Sequence, residues 1–388
     1  MLQRENNSFA IKFGRLFNSH GEFDDGYLLI RNGIIDGIYN KNYRNYDLLD
    51  YSGKIVVPGF IDIHTHGYYG IDAMDSSEAS IHYWAGKIME HGVTSFIPTG
   101  VSAPFDKIKN FLKKINNVMN NYNYNESRIL GARLEGPYIS INKKGAHNKN
   151  FIREINMEEI NNIAGNYNNT LKIIDMAPEL YQFDDAFSVL SRANIIVSAG
   201  HTDADFLTSF HAFKIGVGLI THFYNAMSPF NHRNPGMVGA GFLSKNVFIE
   251  LICDLHHVSG EAIKILANQV GLSRLIMVTD SLSIGDSGKI YGVLGDMNIE
   301  LKDSVAWISG TNTIAGSILT PDKALRNLVS IGIRPVNAIP SLTSIPANLL
   351  GLSDIGDIIP GKKADLCILD NNFNVDSTII DGKILYSK

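Results

Sequence analysis

From residue 58 to residue 282 the chain keeps one rhythm: a short apolar run that ends in polar or small residues, then a stretch with helical spacing. The runs are "GFIDIHTH", "GVTSFIPTG", "RILGARLEGP", "LKIIDMAPE", "NIIVSAGH", "GLITHFYNAM", "VFIELICDLHH" and "RLIMVTDS", eight in all. Short continuous apolar runs read as strands covered on both faces, as in a parallel sheet. Between them, "FDKIKNFLKKINNVM" places Phe105, Ile108, Leu112, Ile115 and Met119 three or four residues apart, which makes one apolar face of a helix. Eight alternating units predict a (β/α)8 barrel over residues 58–355, with an open doubly wound sheet as the alternative.

The two ends of the chain have another texture. "AIKFGRLF", "GYLLIRNGIIDGIY" and "DLLDYSGKIVV" are short apolar runs punctuated by Asn-Gly and Ser-Gly pairs, the pattern of a small antiparallel sheet. "IGDIIPGKKADLCILD" and "STIIDGKILYS" look alike, so residues 1–57 and 356–388 are expected to close one small β-sandwich domain. After Asp280, "GDSGKIYGVLGDMNIELKDSVAWISG" reads as a hairpin inserted before the last helix. The Asn-rich "NNVMNNYNYNES" reads as a solvated helix end.

Composition narrows the function classes. A chain of 388 residues suits one large barrel plus an accessory module, and 45% hydrophobic against 19% charged residues supports a sizeable core. A net charge of -5 without a Lys/Arg run argues against a nucleic-acid partner, although phosphate on a small substrate stays open. Cys253 and Cys367 both lie in apolar runs, which excludes a disulfide framework and fits a reducing compartment. "MLQRENNSFAIKFG" lacks the apolar core of a signal peptide, and no apolar stretch approaches the ~18 residues that span a membrane. The expectation is a cytoplasmic protein with no membrane partner.

The barrel prediction makes the strand ends informative, because active sites of such barrels collect there. Strand one ends with His64 and His66, strand three with Glu135, strand five with His201, strand six with His222, strand seven with His256 and His257, and strand eight with Asp280. A single histidine at a strand end is an ordinary core or surface group. The same position being polar on six strands points to one shared metal site. His-x-His puts both imidazoles on one face of an extended segment, and imidazoles with a carboxylate suit Zn²⁺ or Fe²⁺. A buried Asp280 would pair with a metal-bound water, its alternative role being a helix cap.

Taken in order, "PGFIDIHTHG", "LEGPYI", "KGAHN", "SAGHTDA", "THFYNAMSP", "VTDS", "IAGS" and "GKKADLCILD" resemble the N-acetylglucosamine-6-phosphate deacetylases of the amidohydrolase superfamily over nearly the whole chain. The resemblance implies that Glu135, His201 and His222 hold the principal metal. Some members lack the His-x-His pair and keep one ion; retention of His64 and His66 implies room for a second, bridged by Glu135 and touched by Asp280. It further implies hydrolysis of the 2-acetamido group, with Asp280 taking a proton from water and passing it to the leaving amine, and His147 contacting substrate and the oxyanion. Phosphate contacts fall to Asn225, Ala226, Arg233 and His257, His256 being the alternative. A homodimer with a phosphate contact across its interface is implied as well.

Ser281 and Leu282 depart from the Ala-Met type pair that often follows "VTD" in the family, so the pocket wall is expected to differ there. His20, His82, His91, His211 and His232 match nothing functional. Competing readings are an N-acetylgalactosamine-6-phosphate deacetylase, a non-catalytic barrel used as an assembly module, and a cyclic-amide hydrolase or deaminase on the same scaffold. Against the last stands "EGP", a glutamate where many cyclic-amide hydrolases use a modified lysine.

Overall fold

Strands form at the eight apolar runs: Phe60–Thr65, Val93–Val101, Ala132–Glu135, Leu171–Met176, Ile196–Ala199, Leu219–Ile220, Phe248–Ile252 and Leu275–Val278. The computed structural model describes residues 8–42 and 46–388. Residues 1–7, which open the N-terminal stretch read above for a signal peptide, and 43–45 lie outside the described residues. The eight strands are parallel and follow chain order across the sheet. The last meets the first: Asp280 N–H donates to the His64 carbonyl at 2.8 Å, and His66 N–H donates to the Ser281 carbonyl at 2.8 Å. This is the (β/α)8 barrel of the sequence reading rather than the open sheet.

Helices alternate with the strands. Phe105–Asn120 buries Ile108, Leu112 and Ile115 as its spacing predicts, together with Phe111 and Val118. Several helices begin on a side-chain cap at the same rim where the strands end: Ser77, Asn156, Asp205 and Ser259 each accept from a backbone N–H of the first turn. The main core fills the space between barrel and helices, with Trp84 fully buried against Phe96 at 4.8 Å between ring centroids.

Both termini build the accessory module, one hydrogen-bonded sheet of seven strands in the order Lys383–Ser387, Val375–Ile380, Leu366–Leu369, Asp47–Pro58, Ser8–Asn18, Gly21–Arg31, Ile34–Tyr39. It has its own core, including Phe13, Leu28, Ile30, Leu366 and Ile368. Asn32 and Gly33 turn the chain with φ of 54° and 78°, the left-handed pair of a type I′ hairpin.

Two details differ from the antiparallel expectation. Ser8–Asn18 and Asp47–Pro58 run parallel, because the latter must travel toward the barrel to enter its first strand at Phe60. Ser52-Gly53 is a bulge within that strand, not a turn; a Cβ on the facing Gly14 would stand 2.8 Å from Gly53 N, so the two backbones meet only because a glycine is there.

The inserted hairpin is a three-stranded meander, Tyr291–Leu294, Met297–Lys302 and Val305–Ile308. Cys253 and Cys367 are buried free thiols. Among the described residues no helix is long and apolar enough to cross a membrane.

Candidate active site

The rim residues point inward because the backbone turns sharply as each strand ends. His201, His222 and Asp280 all have positive φ, of 46°, 26° and 48°. Such left-handed backbone is unfavourable for residues with a Cβ and persists where the surroundings impose it. Gly200 shows the crowding: a Cβ there would lie 2.6 Å from Thr221 Cβ.

These turns bring Glu135, His201 and His222 to one point. Glu135 Oε1 lies 3.0 Å from His201 Nε2 and 3.0 Å from His222 Nε2, and the two nitrogens are 3.1 Å apart. Ligands of a tetrahedral ion at 2.0–2.1 Å stand roughly 3.3 Å from one another, so the triangle has the edge length of one face of a metal site. Beside it, His66 Nε2 is 3.0 Å from Asp280 Oδ1 and 3.4 Å from Glu135 Oε2, and His64 Nε2 is 3.5 Å from Asp280 Oδ1 and 3.6 Å from Glu135 Oε1. Glu135 thus stands between two groups of imidazoles, and His64, His66 and Asp280 form a second cluster able to hold a metal ion.

Ring nitrogens distinguish these candidate ligands from their neighbour His147. His201 Nδ1 faces the Lys143 carbonyl at 2.8 Å, His66 Nδ1 the Thr99 carbonyl at 3.1 Å, and His64 Nδ1 the Glu250 carboxylate at 3.3 Å. None of these acceptors can donate, so each ring carries a proton on Nδ1, and Nε2 is the nitrogen turned toward the carboxylates. Lone pair against lone pair is repulsive unless a cation lies between them. The buried Nε2 of His64 has no hydrogen-bond partner among the described residues.

His147 is the reverse. Ser102 N–H donates to its Nδ1 at 3.3 Å, leaving the proton on Nε2, which donates to Glu135 Oε2 at 3.1 Å. Burial lowers His147 to about 4, so it is neutral with that one proton. It is built as a hydrogen-bond donor and not as a ligand.

The charge balance agrees. Burial works against ionisation of Glu135, yet His201 and His147 hold it well below the usual range. Burial also opposes ionisation of Asp280, and His64 and His66 bring it to about 2. Burial lowers His66 and His222, but Asp280 and Glu135 outweigh it for His66, which rises to about 10, and Glu135 does so for His222, which rises to about 9. The acidic field that draws protons here is the field a bound cation would neutralise. The residues present therefore fit a divalent ion.

Above the cluster opens a cavity of about 450 Å³, within the range of small-molecule sites. Asn225, Ala226 and His257 line it beside the ligands. His257 is fixed by Asp254, whose Oδ2 lies 2.7 Å from Nδ1, while His256 is exposed. Arg233 is exposed on the loop after strand six and does not line the cavity. Ser281 and Leu282, expected to alter the pocket wall, do not line it either. Ser281 is buried where the barrel closes, 2.7 Å from the Thr65 hydroxyl, and Leu282 is core.

Two groups of site residues escaped the sequence reading. Leu294, Asn312, Thr313 and Ile314, from the meander and the segment after it, wall the cavity; nothing in their residue types marks them. Arg133, Asp175 and Glu250 lie fully buried beneath the ligands. Here a signal existed: each is a charge flanked by apolar residues within a strand-like run, and a buried charge needs a partner.

The chain matches the model of the amidohydrolase family over residues 55–385. It is 33% identical to an N-acetylglucosamine-6-phosphate deacetylase of Bos taurus over 87% of this chain and 85% of that one. It is 32% identical to an N-acetylgalactosamine-6-phosphate deacetylase of Escherichia coli O157:H7 over 97% and 98%. The crystal structure of N-acetylglucosamine-6-phosphate deacetylase from Thermotoga maritima superposes with a TM-score of 0.89 at 32% identity, covering 98% of this chain and all of that one.

Proposed function

The chain belongs to the amidohydrolase family, and on that premise we propose how its site works. It hydrolyses the acetamido group of N-acetyl-D-glucosamine 6-phosphate, giving D-glucosamine 6-phosphate and acetate. The observation that carries the reading is the convergence of Glu135 Oε1, His201 Nε2 and His222 Nε2 within 3.1 Å of one another at the floor of the cavity.

Glu135, His201 and His222 would hold the principal ion, and His64, His66 and Asp280 a second; zinc or iron suits this donor set. Once bound, a divalent ion supplies Lewis acidity and a water acidified toward neutral pH. The chain's own groups then do the rest. Asp280, held ionised by its imidazole neighbours, takes a proton from the attacking water and delivers it to the amide nitrogen as the C–N bond breaks. The His147 Nε2–H, which faces Glu135 Oε2 at 3.1 Å, would turn to the acetyl oxygen as negative charge grows there. Water oxygen ends in acetate, and the nitrogen leaves as an amine.

We assign the phosphate to Asn225, the Ala226 backbone and His257 on one wall of the cavity. Arg233, exposed on its loop near the exposed Phe230, would meet the phosphate of a neighbouring subunit if the working form is a homodimer. Two free buried cysteines support a cytoplasmic enzyme.

Acetate release decides the matter when measured on both hexosamine 6-phosphates and on unphosphorylated N-acetylglucosamine, with and without Zn²⁺ or Fe²⁺. The expected result is metal-dependent turnover of N-acetylglucosamine 6-phosphate and little without the phosphate. Similarity to the galactosamine enzyme over nearly the full chain favours one second reading, and faster turnover of the galacto epimer would install it.

A further inference from the structure

The interior of a (β/α)8 barrel is ordinarily filled by layers of branched apolar side chains. Directly under its rim this barrel instead buries a fan of charge around Arg133, which is fully enclosed. Arg133 meets Asp175 through Nε at 3.1 Å and Nη2 at 2.8 Å, a two-point pair. It also meets both oxygens of Glu250, Nη2 lying 3.1 Å from Oε2, and donates to the Ile63 carbonyl at 3.3 Å and the Thr221 hydroxyl at 3.2 Å.

The two carboxylates look equivalent in that pairing but differ in what else they touch. Among the described residues Asp175 accepts further only from Thr221 Oγ1, at 2.9 Å; it stands within 4.8 Å of ligand atoms of His64 and Glu135 but makes no hydrogen bond to either. Glu250 reaches up to the metal layer: its Oε2 accepts from His64 Nδ1 at 3.3 Å and from the His222 backbone N–H at 3.4 Å. One carboxylate thus holds the ring of one ligand and the backbone of another, on strands one and six, from strand seven.

We infer that Glu250, anchored by Arg133, is a positioning residue of the metal centre that locks His64 in the tautomer presenting Nε2 to the ion. The inference rests on the metal-dependent reading above. His66 and His201 are fixed by backbone carbonyls, which no substitution removes. Among the described residues, His222 Nδ1 has no partner, and of the three candidate ligand rings whose Nδ1 is engaged only that of His64 depends on a replaceable side chain, the Glu250 carboxylate. An amide in its place can donate to Nδ1, which moves the ring proton to Nε2 and removes the lone pair a cation needs. Loss of such an outer partner weakens metal binding by about 10- to 100-fold.

The test reads metal without substrate, so it stands or falls apart from the identity of the sugar. Wild type, Glu250→Gln and Asp175→Asn are loaded with Zn²⁺, and metal per subunit and the rate of zinc release to a chelator are measured beside Tm. Glu250→Gln is expected to bind less zinc and to release it about 10- to 100-fold faster. Asp175→Asn is expected to lower Tm while retaining zinc as wild type does. Release from Glu250→Gln at the wild-type rate overturns the inference, as does equal loosening in Asp175→Asn, which would make the whole fan merely structural. If Glu250→Gln does not fold, Glu250→Asp decides: it keeps the charge for Arg133 but falls one methylene short of His64, and undiminished zinc retention there is equally fatal.

Discussion

His66 and His91 are both largely buried, both lie close to two carboxylates, and both are pushed well above the ordinary imidazole range. For His91 burial acts downward, but Asp286 and Asp322 prevail and hold it at about 9. Its Nε2 is 2.8 Å from Asp286 and its Nδ1 3.3 Å from Asp322, so one carboxylate stands near each ring nitrogen. A single added proton completes that arrangement. His66 has only Nε2 to offer, because Nδ1 is committed to the Thr99 carbonyl, and both of its carboxylates crowd the same nitrogen along with the lone pair of His64. Satisfying several such donors at one point takes a cation shared among them. Ion pair and metal site therefore differ less in residue type than in whether the second ring nitrogen is already engaged elsewhere.

That contrast can be broken most decisively at Asp280. Asp280→Asn is expected to keep the principal ion, held by Glu135, His201 and His222, and lose ~10³-fold or more in kcat, judged by metal analysis and steady-state acetate release; unchanged turnover removes the proton-transfer role. His147 sharpens the line between donor and ligand. His147→Gln is expected to cut kcat by ~10²- to 10³-fold while metal content stays at the wild-type level. A matching loss of metal would instead count His147 among the ligands, as its place in a cluster with Glu135 and His201 allows by distance alone.

The smallest effect is expected at His91. With a folded value near 9 against ~6.5 unfolded, its ion pairs contribute fully below about pH 6.5 and fade as pH rises through 9. His91→Gln should leave kcat at neutral pH as it is and lower Tm by a few degrees there, the gap to wild type closing toward pH 10. A gap that stayed constant from pH 6 to 10 would mean that His91 is not charged in the fold.

How much of this could be read from residues alone varied with the range of the forces involved. The strands, the helix from Phe105 and the Asn32-Gly33 turn were legible because alternation, helical spacing and left-handed turn preference are local. So was the convergence of the candidate donor groups, since eight strand ends share one rim in any closed barrel. The parallel pairing of Ser8–Asn18 with Asp47–Pro58 was not, because it depends on where the chain must enter the barrel. Arg233 could not be placed from its motif either: it follows the right strand, on a loop that leaves it outside the cavity of its own subunit.

Sequence alone determined the architecture and the set of donor groups, because periodicity and residue chemistry are carried by the chain itself. Only the tertiary structure decided which nitrogen of each imidazole faces the centre. For four of them that depends on a carbonyl, an amide or a carboxylate supplied by a distant part of the chain: Thr99 for His66, Lys143 for His201, Ser102 for His147 and Glu250 for His64. A proton's position on a ring is set by what lies within 3.3 Å of it, and those neighbours are dozens of residues away along the chain.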